Sequence, residues 1–426
     1  MAGNPFGRLL YHSRDLVWSV VAVLAFAATW PKRWLTTPGV VTVAEPCRIE
    51  RITGVAVPDT VPLSRYEPVP VELRHPEHDA RVDAKSLFYD VFWDGRQLVM
   101  IGPPLRNFEA LIRLDTIRID GERPSRAPVL RQMHGCQITT LALPTRPQQI
   151  KFELDWPTEA ALVQPSGFDL FRGRKVITTK SRDNRLDWIA DWVDFHVRAH
   201  GVDAVLFYDN NSTLYSPDEL LARIRTVPGV DVAVVVPWSH KWGYWNKHIS
   251  ADYTQVTILE HARRRFLRDA RGILSCDVDE MVVSKGGRSL FDWLDQSLRG
   301  AIHFHGTNIE SVTPPTAPLR HRDLSYGSGK SSPDKWAAIP RLMPDKVQWH
   351  IHGAGGRSRS TRARDLTFRH FIPITTKSER VQHEYDPTQH QLDTGWLRAM
   401  EHVGWRRPED PSPGQPPSGQ PPGSAS

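Results

Sequence analysis

The sequence predicts an α/β protein in which a mostly parallel sheet, within residues 170–400, follows a small β-rich domain over residues 39–160. Between about Val40 and Leu154 the apolar residues recur at the period of strands. After about Phe168, short apolar runs alternate with stretches of helical period. The chain of 426 residues is also longer than one typical domain core, which favours two domains.

The β-rich domain begins with a predicted hairpin. Phe88–Trp93 and Arg96–Ile101 flank Asp94-Gly95, a pair that supplies the positive φ angles of a two-residue turn. Pro-rich connections separate further predicted strands, which are Glu109–Arg113, Gln137–Leu143 and Gln149–Leu154. This pattern is typical of a small, sandwich-like β-domain. Its role stays open between carbohydrate binding and a structural or oligomerising module.

The second half alternates strands and helices. The predicted strands are Lys175–Thr179, Ala204–Tyr208, Asp231–Val236 and Gly272–Cys276. The predicted helices are one through His200 that stops at Gly201, one at about Pro217–Val227, and a long one within Ser250–Ala270. This β-α-β-α-β order predicts a parallel sheet, and such sheets bind ligands beyond the carboxyl ends of their strands. The polar runs Asp209–Ser212 and Asp277–Glu280 follow two of these strands, so we expect both at that edge.

The acidic run Asp277-Val278-Asp279-Glu280 predicts a metal site. Carboxylate oxygens are the ligands that Mg²⁺ and Mn²⁺ prefer. Two carboxylates one residue apart can offer one direct ligand and one that acts through water or a ribose hydroxyl. A cation there would neutralise the charge that develops on a diphosphate leaving group. The alternative is a solvated acidic turn with a helix cap.

Further motifs follow one another along the chain: Thr179–Asn184, Trp188–His196 with Gly201, Tyr208–Ser212, Trp245-Asn246-Lys247 to Phe266, Asp277–Met281, Lys335-Trp336 with Pro340 and then His352, and Arg369-His370-Phe371. In this order they resemble the GT-A glycosyltransferases of the family 2 and family 92 type, over roughly Lys175–Arg380. The chain departs from that pattern with Asp183-Asn184 in place of Asn-Glu, Met281 in place of an aromatic residue, and Phe371 in place of Tyr.

The resemblance implies a GT-A-like, Rossmann-like transferase domain. Its activity would be the transfer of a sugar from a nucleotide-sugar donor, UDP-linked, to a glycan, lipid or protein acceptor by direct inverting displacement. The side chains that the resemblance implies are Lys180, Asn184, Asp209 and Asp277 for the donor, and Asp277, Asp279 and His352 for a Mn²⁺ or Mg²⁺ ion. A catalytic base would be a carboxylate near the acceptor, and Glu280 and Asp323 are both candidates.

Two other functions stay open. A metal-dependent phosphohydrolase could use the same carboxylates, but the helix with its His and Gly has no role in one. The other is a non-catalytic carbohydrate-binding protein with a degenerate transferase domain, and intact Asp277 and Asp279 argue against it. The polar, Pro/Gly-rich segment Thr313–Pro333 is predicted to be a loop, either plainly exposed or a lid over the donor.

The net charge of +6 and the isoelectric point of about 9.2 suit an acidic partner, such as a phosphorylated donor or an anionic membrane. The sequence carries no zinc-finger spacing, RNA-recognition signature or dense basic block, so no nucleic-acid partner is expected. Within residues 1–38, the apolar stretch Leu16–Trp30 is shorter than the roughly 20 residues that span a bilayer. A membrane anchor, an interfacial helix and a packed helix stay open, so the expected location is membrane-associated or cytoplasmic. Residues 407–426 are rich in Pro, Gly and Ser and are predicted to be a disordered tail.

Overall fold

The computed structural model describes residues 45–67, 69–243, 252–310, 319–355, 360–376 and 388–406, which belong to one compact unit. The predicted apolar stretch Leu16–Trp30, the predicted tail 407–426 and the Trp245-Asn246-Lys247 motif lie outside these residues. Among the described residues, no helix combines the length and the apolar character needed to cross a bilayer.

Short strands make up the first half of the described chain: β1 (Cys47–Ile49), β2 (Val55–Ala56), β3 (Ser86–Phe88), β4 (Asp90–Trp93), β5 (Gln97–Gly102), β6 (Ile117–Ile119), β7 (Val129–Met133), β8 (Cys136–Ala142), β9 (Gln149–Phe152), β10 (Ala161–Leu162) and β11 (Gln164–Pro165). The second half adds longer ones: β12 (Lys175–Ser181), β13 (Ala204–Asp209), β14 (Val232–Pro237), β15 (Gly272–Ser275), β16 (Glu280–Ser284), β17 (Ala301–Glu310), β18 (Tyr326–Ala338), β19 (Trp349–His350), β20 (Gly353–Ala354), β21 (Thr361–Phe371) and β22 (Gln391–Leu392).

The α-helices are α1 (His78–Arg81), α2 (Phe168–Phe171), α3 (Leu186–His200), α4 (Pro217–Arg225), α5 (Tyr253–His261), α6 (Leu290–Asp295) and α7 (Thr394–His402). A π-helical segment, Ala262–Leu267, continues α5. Short 3-10 helices cover Val71–Leu73, Arg106–Leu111, His321–Asp323 and Pro340–Leu342.

One large mixed sheet organises the molecule. Its strand order is β1-β14-β13-β12-β15-β18-β17-β21-β16, with β22 beside β18. The first five strands of this order are parallel to one another, and β18 then runs antiparallel to β15. The predicted β-α-β-α-β arrangement is therefore confirmed. Strands β12 to β15 are almost wholly buried, which explains their continuous apolar runs.

Helix α3 ends where the sequence predicted. Gly201 caps it in the left-handed conformation, with φ of 66°, which glycine adopts without the cost that a Cβ imposes. Helix α4 begins at a capping box formed by Ser216 and Glu219. The long helix predicted within Ser250–Ala270 is present as α5 and its π-helical continuation.

The β-rich segment contains the predicted hairpin, with β4 antiparallel to β5. The turn is shifted by one residue, because Asp94 N–H bonds to the carbonyl of Gln97 and only Gly95 of the turn has a positive φ. The predicted strand Glu109–Arg113 is wrong, since most of it lies in the 3-10 helix Arg106–Leu111. Two small sheets, β11-β4-β5-β8-β7 and β10-β9-β6, share a hydrophobic core.

A buried polar network links this segment to the large sheet. Asp90 of β4 accepts hydrogen bonds from His261 Nε2 at 2.8 Å and from Arg265 at 2.9 Å. His261 Nδ1 in turn lies 2.8 Å from the hydroxyl of Tyr208, on β13. Strand β1 also pairs with β14 of the large sheet. A separate accessory domain over residues 39–160 therefore stays a prediction.

Candidate functional site

The predicted polar residues meet at the carboxyl ends of the parallel strands. Lys180 lies near the end of β12, directly opposite Tyr208 of β13. Asp277 follows β15, the neighbour of β12 on the other side. Lys180 Nζ lies 3.2 Å from Oδ1 of Asp277. The expected ligand-binding edge is thus where two neighbouring strands bring a cation and a carboxylate together.

A second lysine completes the surroundings of Asp277. Lys335 of β18 is buried, and its Nζ lies 2.5 Å from Asp277 Oδ2 and 2.8 Å from Glu280 Oε2. Burial alone would favour the neutral acid, but Lys180 and Lys335 outweigh it and hold the pKa of Asp277 well below its usual range. Asp277 is therefore an ionised carboxylate whose charge two ammonium groups already balance.

Glu280 is locked into the same cluster. Its carboxylate accepts the backbone N–H of Asp277 at 2.9 Å and the ammonium of Lys335. Burial raises the pKa of Glu280, the ion pair with Lys335 opposes that rise, and the neighbouring carboxylates add to it. The Glu280 side chain is only 5% exposed, so it holds the acidic turn and Lys335 in place.

A group of side chains suited to a metal ion is formed by Asp279, Glu280 and His370. One carboxylate oxygen of each acid and one imidazole nitrogen lie within 4.8 Å of one another. The pairing of β16 with β21 sets Glu280 directly opposite His370. His370 Nε2 lies 3.2 Å from Asp279 Oδ2, and both side chains are about one-fifth exposed. Carboxylate oxygens with one imidazole nitrogen fit Mn²⁺ well and Mg²⁺ through the oxygens.

Two polar residues orient the His370 ring. The hydroxyl of Ser332 donates to Oδ1 of Asn308 at 2.6 Å, so its oxygen is left to accept from His370 Nδ1 at 3.0 Å. That direction keeps a proton on Nδ1 and turns Nε2 towards Asp279. Nε2 is therefore the nitrogen that a cation beside Asp279 would meet.

His370 is a residue that the sequence analysis did not assign to the metal. The sequence signal for His370 was its position in the motif Arg369-His370-Phe371, which contributed only to the resemblance to GT-A glycosyltransferases. The predicted ligand His352 is exposed, its Nδ1 lies 3.1 Å from the carbonyl of Asp334, and it falls outside the group that contains His370. Its role as a metal ligand stays a prediction.

The predicted donor residues Asn184 and Asp209 are held by local contacts. Asn184 donates to the hydroxyl of Ser181 at 2.8 Å. Asp209 is buried at the end of β13, where burial raises its pKa although Ser212 hydrogen-bonds its carboxylate. Both residues lie at the same sheet edge as Lys180, because Ser181 pairs with Asp209.

Asp323, one of the two predicted bases, lies in the 3-10 helix His321–Asp323. Its carboxylate accepts the backbone N–H of Arg320 at 2.7 Å and is partly exposed. In the same turn, Nε2 of His321 lies 3.0 Å from the carbonyl of Val278. The turn that carries Asp323 thus packs directly against the acidic run.

The Trp-rich helix α3 also reaches this region. His196 Nε2 accepts the backbone N–H of Val282 at 3.2 Å, and His200 Nε2 donates to the carbonyl of Val282 at 2.7 Å. His196 and His200 therefore bond both backbone polar groups of Val282, which lies in β16 two residues after Glu280. This gives the helix-His-Gly motif a physical role, which is to hold the strand that follows the acidic run.

No family model and no curated protein matches the chain. Solved structures that resemble it are glycosyltransferases. The bifunctional glycosyltransferase WbbM matches with 13% identity and a TM-score of 0.22 over 36% of this chain, which spans only 27% of the WbbM chain. The galactosyltransferase LgtC, in complex with donor and acceptor sugar analogs, matches with 15% identity and a TM-score of 0.26 over 54% of this chain and 95% of its own.

Core-mannan synthase A from Aspergillus fumigatus, in its Mn/GDP form, matches with 10% identity and a TM-score of 0.29 over 66% of this chain and 99% of its own. These likenesses are distant, with TM-scores of 0.29 or less. The resemblance to families 2 and 92 stays a prediction.

Proposed function

We propose that this chain is a metal-dependent glycosyltransferase that moves a sugar from a UDP-sugar to a glycan, lipid or protein acceptor with inversion. The observation that carries the proposal is the convergence of Asp279, Glu280 and His370 beyond the carboxyl ends of the parallel strands. Next to this group, Lys180 and Lys335 hold the Asp277 carboxylate. Carboxylates, an imidazole and two ammonium groups at one sheet edge suit a cation with a diphosphate.

In the proposed site, Asp279 and His370 hold the Mn²⁺ or Mg²⁺ ion. The cation would neutralise the negative charge that develops on the leaving diphosphate. Asp277 faces the ribose or the cation, while Lys180 orients it from β12. Asp209, at the end of the next strand, lies on the nucleotide side with Asn184.

The reaction that we propose is a single displacement. A hydroxyl oxygen of the acceptor attacks the anomeric carbon while the bond from that carbon to the diphosphate oxygen breaks. The bonding electron pair leaves with the nucleoside diphosphate, and the hydroxyl proton passes to a carboxylate. We assign this base to Asp323, because it is partly exposed beside the acidic run, whereas the carboxylate of Glu280 is buried against Lys335.

The experiment that tests the proposal is a thermal-shift panel of UDP, GDP, ADP and CMP, each with and without Mn²⁺. A ligand at 100 times its Kd adds about 2.7 kcal/mol to the folded state. Stabilisation by UDP only when Mn²⁺ is present supports the transferase. Stabilisation by no nucleotide contradicts it and favours the carbohydrate-binding alternative. Release of phosphate from nucleotides without any sugar transfer would instead favour the phosphohydrolase.

A further inference from the structure

A small cleft of about 310 Å³ lies where β21 changes its register against β17. Arg362 pairs with His303 and Thr367 pairs with His305, so residues 363–366 bulge out between these two pairs. A bulge re-aims the side chains around it and breaks the alternation of a regular strand. The irregularity therefore builds a concave surface at the edge of the large sheet.

Basic side chains line this cleft. Arg362 and Arg364 come from β21, and Lys285 comes from the residue that follows β16. All three side chains are exposed, and no carboxylate partner is found for any of them within the part of the chain that the structure describes. The fourth basic residue, His305, is already paired with Asp334. Cations gathered without counter-charges repel one another, and a bound anion removes that repulsion.

We propose that this basic cleft binds a phosphate group of the acceptor. A guanidinium group binds two oxygens of a phosphate through paired hydrogen bonds. Arg362 and Arg364 supply two guanidinium groups to the cleft. Lys285 adds a third positive charge, which suits a dianionic phosphate better than a single carboxylate. The assignment to the acceptor rests on the proposed function, whereas the binding of phosphate does not.

The cleft is separate from the donor site but is connected to it through two strands, β16 and β21. On β21, Thr367 of the cleft lies three residues before His370, or roughly 10 Å at the rise of a strand. Lys285 lies five residues beyond Glu280, or roughly 16 Å at the rise of a strand. None of the residues lining the cleft belongs to the metal group among the described residues. A phosphate in the cleft and a diphosphate at the donor site are therefore compatible with simultaneous binding.

Space for the rest of an acceptor lies next to the cleft. A larger cavity of about 640 Å³ shares Lys285 and Thr367 with it. The lining of this cavity also includes Gln391 and Asn308, whose amide groups hydrogen-bond to hydroxyl groups such as those of sugars. The cleft and the cavity together provide a phosphate site beside a space of the size of a small glycan.

The test is the binding of tripolyphosphate to the full-length protein in the presence of EDTA, measured by titration calorimetry. EDTA removes divalent cations, so no cation bridges tripolyphosphate to the carboxylates of the proposed donor site. The variant Arg362→Glu/Arg364→Glu is compared with Arg123→Glu/Arg126→Glu, which makes the same charge change at exposed arginines of the β-rich segment. We expect binding to weaken by at least roughly tenfold in the cleft variant, because a hydrogen bond to a charged group contributes a decade or more of affinity. The control should bind like the wild type.

Wild-type affinity in the cleft variant, or an equal loss in the control, would overturn the proposal. Lys285→Glu, which changes one exposed side chain outside the strand, serves as a second cleft variant if the double variant does not fold. Lys285→Glu should show the same loss of tripolyphosphate binding.

Vesicle sedimentation separates two sources of the phosphate. Binding to phosphatidylcholine vesicles that contain phosphatidic acid, lost in the cleft variant, identifies a lipid phosphate. Binding of soluble tripolyphosphate without vesicle binding identifies a soluble phosphorylated acceptor. The stabilisation by UDP with Mn²⁺ should be the same in the cleft variant and the wild type. If UDP with Mn²⁺ does not stabilise the wild type, the glycosyltransferase proposal is contradicted, but the proposed phosphate site is not.

Discussion

The hydroxyl of Ser332 lies 3.0 Å from Nδ1 of His370, while Nε2 of the same ring lies 3.2 Å from Asp279. Ser332 donates its own proton to Asn308, so its oxygen accepts from His370 Nδ1, and the hydrogen bonds run from His370 through Ser332 to Asn308. A histidine that binds a metal through one nitrogen usually donates the N–H of the other to such a partner, and that bond fixes the ring.

Replacing Ser332 with alanine should weaken the binding of Mn²⁺ without removing either proposed ligand. The His370 ring would lose the acceptor that orients it, and loss of such a partner costs about 10- to 100-fold in metal affinity. Calorimetric titration with Mn²⁺ measures the change. The matched control is Ser331→Ala, because Ser331 is exposed and next in sequence. Equal Mn²⁺ affinity in the two variants would contradict the role given to Ser332.

Replacing Lys335 with methionine should destabilise the fold. The Lys335 side chain is 4% exposed and holds Asp277 and Glu280 together. Removing one member of a buried ion pair costs about 3–5 kcal/mol, because it leaves uncompensated charge in the interior. Urea denaturation measures the free energy of unfolding, with Lys346→Met as the control at an exposed lysine. A loss no greater than that of the control would mean that this cluster does not stabilise the fold.

His200 makes the stability of the fold dependent on pH. Burial lowers its pKa to about 4, against the smaller opposing effect of its bond to Val282. The unfolded chain takes up a proton on this histidine below about pH 6.5. Its neutral form is therefore fully stabilising above about pH 6.5, and the stabilisation is lost as the pH falls from there towards 4.

The variant His200→Gln should consequently show a weaker dependence of stability on pH. Between pH 6.5 and 4, one buried neutral histidine contributes about 1.4 kcal/mol per pH unit to the slope. Urea denaturation of the wild type and the variant at a series of pH values gives both slopes. Identical slopes in this window would show that His200 is not held neutral by the fold.

The sequence predicted strands β12 to β15 of the large sheet because their signals are local, whereas the other six strands of that sheet were not predicted. Strands β12 to β15 are buried on both faces and read as continuous apolar runs, and Gly201 ends α3 by a conformation that few other residues accept. The prediction is wrong for the segment Tyr326–Pro333. It is rich in Gly and Ser and was predicted as a loop, yet it forms the first part of β18 because β17 supplies its hydrogen-bonding partner.

The candidate site was predictable only in part, for a related reason. The runs Asp209–Ser212 and Asp277–Glu280 follow predicted parallel strands, so both were expected at one edge of the sheet. The contact of Lys180 with Asp277 depends on the pairing of β15 with β12, which the order of the strands along the chain does not determine. His370 is brought to Asp279 by the antiparallel pairing of β16 with β21 across a long stretch of chain. No spacing rule predicts that pairing. His352 was assigned to the metal by motif order alone, and that role stays a prediction.

The binding of UDP to the wild type and to Asp279→Asn, titrated with and without Mn²⁺, tests whether Asp279 holds a cation that the donor needs. Asp218→Asn, at an exposed aspartate in the first turn of α4, is the matched control. Mn²⁺ should strengthen UDP binding in the wild type and in the control. In Asp279→Asn, Mn²⁺ should have no effect on UDP binding, and the melting temperature should be unchanged. Mn²⁺-dependent UDP binding that survives in a folded Asp279→Asn protein would contradict the metal site and the mechanism built on it.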